Sequence, residues 1–104
     1  MREINKTEFE TVILNGITFV DFYANWCGPC KQLAPMLDKL AESFTGKVNF
    51  YKMELDTENN SEVFDSLGVK NVPTIIVFKD GQEVKREIGS RPRHVYEKIL
   101  TDLL

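Results

Sequence analysis

The spacing of apolar residues changes along the chain, and each change predicts an element. Residues 1–4 start with mixed apolar and polar positions that fit a short edge strand. Thr7 and Glu10 have capping-box spacing, and Phe9, Val12 and Ile13 give a short amphipathic helix that Asn15-Gly16 ends. From 18 to 24 the apolar residues run on without alternating, the pattern of a strand covered on both faces. Asp21 stands in its middle as the anomaly. Leu33, Leu37, Leu40 and Phe44 then recur at steps of four, three and four, which predicts a helix from 27 to about 44. Pro35 removes one hydrogen bond within it, and Gly46 is the expected terminator.

A second buried strand is expected over 48–55, again with one charge inside, Lys52. Asn60-Ser61 should cap a short helix carrying Val63, Phe64 and Leu67, with Gly68 closing it. The most apolar strand, Ile75-Ile76-Val77-Phe78, follows Asn71-Val72-Pro73-Thr74. Asp80-Gly81 is a hairpin signal that returns 82–88 antiparallel. Pro92 suits the first turn of a last helix whose inner face is read as Val95, Ile99 and Leu103. The order β-α-β-α-β-α-β-β-α places this chain in the α/β class, with about five strands in one mixed central sheet flanked by about four helices. Such sheets place ligands where a strand ends and the next helix begins.

With 104 residues, the chain is long enough for one core, so a single domain over 1–104 is expected. A net charge of −3 gives no pointer to nucleic acid or to a membrane surface. The basic residues around Lys85-Arg86 and Arg91-Arg93 read as a solvated face. No apolar run approaches the roughly 20 residues of a membrane span, and Met1-Arg2-Glu3-Ile4-Asn5-Lys6 lacks the apolar core of a signal peptide. A cytoplasmic monomer is the expectation. In that compartment a catalytic disulfide is more usual than a structural one.

Both cysteines and the only tryptophan fall in Trp26-Cys27-Gly28-Pro29-Cys30, at the junction of the 18–24 strand and the long helix. The first N–H groups of a helix lack partners and carry the positive end of its dipole, so a cysteine there ionises more readily. Residues three apart on a helix lie within the Cα separation that a disulfide tolerates, so Cys27 and Cys30 can interconvert between dithiol and disulfide. Buried inert thiols and half a zinc site are the competing readings. A zinc site needs four ligands, and only His94 remains as a soft candidate, so no metal is expected.

The residues Asp21-Phe22-Tyr23-Ala24-Asn25-Trp26-Cys27-Gly28-Pro29-Cys30-Lys31, with Ala34-Pro35, Val72-Pro73-Thr74, Phe78-Lys79-Asp80-Gly81 and Gly89, together resemble the thioredoxin family. The resemblance spans essentially the whole chain. Tyr23 stands where many members have Trp or Phe, and Thr57-Glu58-Asn59-Asn60 stands where a proline is frequent, which touches local loop shape rather than chemistry.

The resemblance implies the thioredoxin fold and protein-disulfide reduction with no bound cofactor. Cys27 would attack a substrate disulfide and Cys30 would resolve the mixed disulfide. Asp21, if it is not an acid facing water, is raised in pKa by burial; the family places this carboxylate beneath the disulfide to take the proton of Cys30. Lys52 either reaches the surface or, by resemblance, pairs with Asp21. Gly28 and Pro29 tune the redox balance: proline brings no positive charge beside Cys27, which favours a reductant. Pro73 would be cis, Val72 would offer its backbone to an extended substrate, and Trp26, Gly28, Pro29, Val72, Pro73 and Gly89 would form a flat docking patch. The implied partners are an NADPH-dependent thioredoxin reductase and disulfide-bearing proteins such as ribonucleotide reductase, peroxiredoxin and methionine sulfoxide reductase. A disulfide isomerase-type oxidant and a binding module with incidental cysteines are the other classes.

Overall fold

The computed structural model describes residues 1–56 and 60–104. Their elements follow the expected order: β1 (Arg2–Glu3), α1 (Lys6–Val12), β2 (Ile17–Tyr23), α2 (Gly28–Ser43), β3 (Asn49–Glu54), α3 (Asn60–Ser66), β4 (Thr74–Lys79), β5 (Gln82–Ile88) and α4 (Arg93–Leu103). The sheet order is β1-β3-β2-β4-β5. β1 and β2 both run parallel to β3, while β4 is antiparallel to β2 and to β5.

β2 lies at the centre, and its unbroken apolar run follows from that position. Ile17 and Phe19 point to one face and pack with Leu33, Leu37 and Leu40 of α2 and with Tyr96 and Leu100 of α4. Val20 and Phe22 point to the other and pack with Phe9 of α1 and Val63 and Phe64 of α3. Edge-to-face rings lock both layers, Phe19 against Tyr96 at 5.7 Å and Phe22 against Phe64 at 5.2 Å. The hairpin after β4 turns through Asp80 and Gly81, both at positive φ (50° and 86°), the geometry for which Asp-Gly is suited.

Several local expectations shift. Asn5, not Thr7, caps α1: its side chain accepts from the Glu8 amide, while Glu8 reaches back to the Asn5 amide. The capping box therefore sits two residues earlier, because the chain is already extended at Asn5 and enters the helix directly after it. β3 is only half buried, since the two-residue β1 covers little of its outer edge. On α4 the buried positions are Tyr96 and Leu100, with Val95, Ile99 and Leu103 partly covered beside them; a large ring at Tyr96 fills the centre of the layer and turns the helix by one position. Pro92 is the residue before α4 rather than within its first turn. Helix α2 continues through Pro35 to Ser43, and Gly46 at φ +81° follows its end.

Asn60 is buried and begins α3 rather than capping it. Its side chain accepts from the Lys6 amide at 3.1 Å and donates to the Glu54 carbonyl at 2.9 Å, tying α1 to the end of β3. The expectation about the loop at Thr57-Glu58-Asn59 lies outside the described residues. Asn60→Ala removes two part-buried hydrogen bonds and leaves their backbone partners unmatched, so it should lower unfolding free energy by about 1–3 kcal/mol. Urea denaturation of parent and variant measures the difference.

Candidate active site

The site forms where β2 ends. After Tyr23 the chain turns through Ala24-Asn25-Trp26, with the Cys27 amide donating to the Ala24 carbonyl at 3.2 Å, and then enters α2. Cys27 itself is the N-cap, extended at φ −88° and ψ 113°, and Pro29 occupies the first turn, where its missing N–H deprives no carbonyl. The capping acceptor is the sulfur: the Cys30 amide donates to Cys27 Sγ at 3.2 Å. A thiolate at that point receives a hydrogen bond and the positive end of a four-turn helix dipole together. Cys27 and Cys30 are joined as a disulfide, with their Cα atoms 5.3 Å apart.

Burial scarcely separates the two cysteines, at 5 % and 4 % exposure, so the contrast in accessibility expected between them is slight. What distinguishes them is the surroundings of each sulfur. Cys27 Sγ lies 3.6 Å from the Val72 carbonyl oxygen, which a reduced thiol can use as an acceptor. Cys30 instead lines a partly open cavity of about 210 Å³ together with Asp21, Lys52, Asp38 and Ala34.

Val72-Pro73 is a cis peptide beside Cys27, and Pro73 is buried. The Gly89 amide donates to the Pro73 carbonyl at 2.8 Å, so Gly89 is tied to the same rim. Its φ of +84° is a conformation that favours glycine. Trp26 is 71 % exposed, Gly28 and Pro29 are exposed, and Val72 is half buried. Ile88, which the sequence reading did not single out, precedes Gly89 and is 50 % exposed. Its partner across the ladder is Thr74, next to Pro73, a proximity that only strand pairing reveals.

Asp21 is not an acid facing water. It is 3 % exposed on the α2/α4 side of β2, and its Oδ1 has no hydrogen-bond partner among the described residues. Burial pushes its carboxyl up to about 7; Lys52 pulls it down, while Asp38 and Glu3 add to the rise. Lys52 is its register partner on β3, yet the two form no ion pair among the described residues. The Lys52 ammonium lies instead over the Tyr23 ring, 5.8 Å from its centroid. The pairing implied by resemblance is thus one of adjacency in the sheet, not of direct contact.

His94 lines a groove between β5 and α4 with Val84 and Glu87, on a different part of the molecule from the cavity that holds Cys30. Among the described residues no group of three or more His, Cys, Asp and Glu side chains is arranged to hold a metal ion. Of the basic residues singled out as a solvated face, three arginines are paired at the surface: Arg86 with Glu83, Arg91 with Glu87 and Arg93 with Glu97. No helix among the described residues is long and apolar enough to cross a membrane.

Comparison with known proteins points to one family. The thioredoxin family model matches residues 1–102. A thioredoxin of Staphylococcus aureus is 38 % identical over 98 residues, covering 94 % of this chain and 92 % of that protein. The structure of mitochondrial thioredoxin 3 from Saccharomyces cerevisiae, in its oxidised form, superposes with a TM-score of 0.85 at 36 % identity, covering 99 % of this chain and 95 % of that one. Plasmodium falciparum thioredoxin superposes over the full length of both chains with a TM-score of 0.87 at 29 % identity. This chain belongs to the thioredoxin family, a thiol–disulfide oxidoreductase whose redox centre is its own Cys27–Cys30 pair and whose counterparts are disulfide-bearing proteins and a thioredoxin reductase.

Proposed function

We propose that this chain, as a single domain over 1–104, reduces disulfides of cytoplasmic proteins, with Cys27 as attacking thiolate and Cys30 as resolving thiol. The observation that carries the division of roles is that the Cys30 amide caps Cys27 Sγ, whereas Cys30 shares its cavity with Asp21. The Cys27 thiolate attacks one sulfur of a substrate disulfide, and the other substrate sulfur leaves as a thiolate that takes up a proton. A mixed disulfide joins Cys27 to the substrate. Asp21 accepts the proton of Cys30, and the Cys30 thiolate attacks Cys27 Sγ. The second substrate sulfur departs, two electrons have passed to the substrate, and the Cys27–Cys30 bridge is formed. A reductase drawing on NADPH restores the dithiol.

The remaining residues support these steps. Gly28 and Pro29 place no charge beside Cys27, which suits a reductant. Trp26, Val72, Pro73 and Gly89 offer the docking rim, with the Val72 backbone available to an extended segment of substrate. Lys52 tempers the affinity of Asp21 for its proton. By family likeness the substrates include ribonucleotide reductase, peroxiredoxin and methionine sulfoxide reductase, and the protein acts as a monomer without nucleic acid or membrane.

Reduction of insulin, driven by NADPH and a thioredoxin reductase, tests the reading. The parent should turn over and Cys27→Ser should not. Cys30→Ser should lose about 100-fold or more in turnover and accumulate a mixed disulfide with substrate. Turnover at the parental rate by either variant would exchange or remove the assigned roles.

Asp21 also makes stability depend on pH. Its carboxyl binds a proton up to about pH 7 when folded, whereas an unfolded aspartate releases it near pH 4. Between those values the native state holds the extra proton, so stability falls as pH rises from about 4 to about 7 and then levels. Asp21→Asn should therefore be more stable by roughly 2–4 kcal/mol at pH 8 and by almost nothing at pH 4. The same variant should exchange disulfides about 10–100-fold more slowly at neutral pH. Guanidinium unfolding at the two pH values and stopped-flow exchange measure these effects separately.

A further inference from the structure

One row of the sheet carries an unusual sequence of charges. Glu3 of β1 is the register partner of Lys52, and Lys52 is the register partner of Asp21. Three adjacent parallel strands thus set acid, base and acid side by side. In an uncomplicated setting an ammonium between two carboxylates would pair with one of them. Here it pairs with neither among the described residues.

Tyr23 accounts for this. It lies two residues beyond Asp21 on β2, so both side chains are on one face of that strand. Its hydroxyl donates to Glu3 Oε1 at 2.5 Å, and the Lys52 ammonium lies over its ring. One side chain therefore occupies the rival carboxylate and holds the cation. Burial and the neighbouring Glu3 carboxylate both raise the phenol's own pKa, so it remains a donor throughout the neutral range.

We propose that Tyr23, anchored by Glu3, is a positioning residue for the proton step: it fixes where the Lys52 ammonium lies beside Asp21. The proposal rests on the reading of Asp21 as the proton carrier. Other groups lie near Asp21 or Tyr23, those of α2 along the same cavity. Helix α2 contributes Cys30, Lys31 and Asp38, with Asp38 accepting from the Met1 amino group at 2.7 Å. The Tyr96 hydroxyl of α4 feels the Asp21 charge and takes a hydrogen bond from the Arg91 amide. Glu54, in register with Tyr23, acts on the phenol, and β4 brings only the uncharged Ile75 opposite Asp21. None of these groups bridges Glu3 and Lys52 as Tyr23 does.

Two near-isosteric variants make opposite demands. Tyr23→Phe keeps the ring but frees the Glu3 carboxylate, which then competes for Lys52 and draws it from Asp21. The Asp21 midpoint should rise by roughly half a pH unit. Glu3→Gln keeps an acceptor for the hydroxyl but removes the rival charge, and the midpoint should fall by a similar amount. The carboxyl carbon resonance of Asp21, titrated in the oxidised protein where neither cysteine ionises, reads the midpoint directly. Glu3→Gln lowers the Asp21 midpoint through its lost charge even without a clamp, so the rise in Tyr23→Phe is the readout that loss of a merely structural contact would not give. A rise in Tyr23→Phe with a fall in Glu3→Gln supports the clamp. An unmoved or lowered midpoint in Tyr23→Phe, or no fall in Glu3→Gln, overturns it. If the midpoints separate as expected while the pH profile of disulfide exchange is unchanged, the clamp stands and Asp21 is not the proton carrier.

Discussion

The hydrogen bond from the Cys30 amide to Cys27 Sγ is the contact on which the rest of the site depends. It needs a helix that begins at a sulfur, and so a strand that ends four residues earlier with the turn between them held in place. β2 meets that need because both of its faces are covered, leaving its carboxyl end no freedom to drift. The core is thus the rigid mount that keeps one amide aimed at the Cys27 sulfur.

Asp21 is tolerated within the same strand only because the layer around it opens into a cavity instead of closing on it. Its neighbours Phe19 and Val20 are fully buried, and an apolar residue at 21 would extend the packing without interruption. The carboxyl works against stability at neutral pH, and it stands where the inner cysteine can reach its surroundings. A buried, under-satisfied acid beside a reactive thiol is the kind of local conflict that functional sites retain. The proposed Tyr23 clamp belongs to the same economy, since it governs how far a nearby cation relieves that conflict.

The rim opposite the cysteines is built from a different part of the chain. Val72 and Pro73 come before β4, and Gly89 follows β5; they meet because those strands pair antiparallel and bring both ends to one edge. Trp26 and Ile88 are both exposed, one from the cysteine loop and one from the edge strand.

Local chemistry was enough to read the order of elements, the Asp80-Gly81 turn, the helix that starts at the cysteine pair and the identity of the reactive sulfurs. Those depend on periodicity, capping and residue type, all of which act within a few positions. Even there, the choice between Asn5 and Thr7 as cap escaped, because both spacings satisfy the motif and only the backbone decides. Which face of α4 turns inward depended on room for Tyr96 in the central layer, and the partial exposure of β3 depended on how short its neighbour is. The charge row of Glu3, Lys52 and Asp21 joins register partners 49 and 31 positions apart, and it exists only once three strands are aligned. The sequence alone determined which groups could do chemistry; the tertiary structure decided which of them meet, because strand pairing, not chain proximity, sets the distances over which charge and hydrogen bonding act.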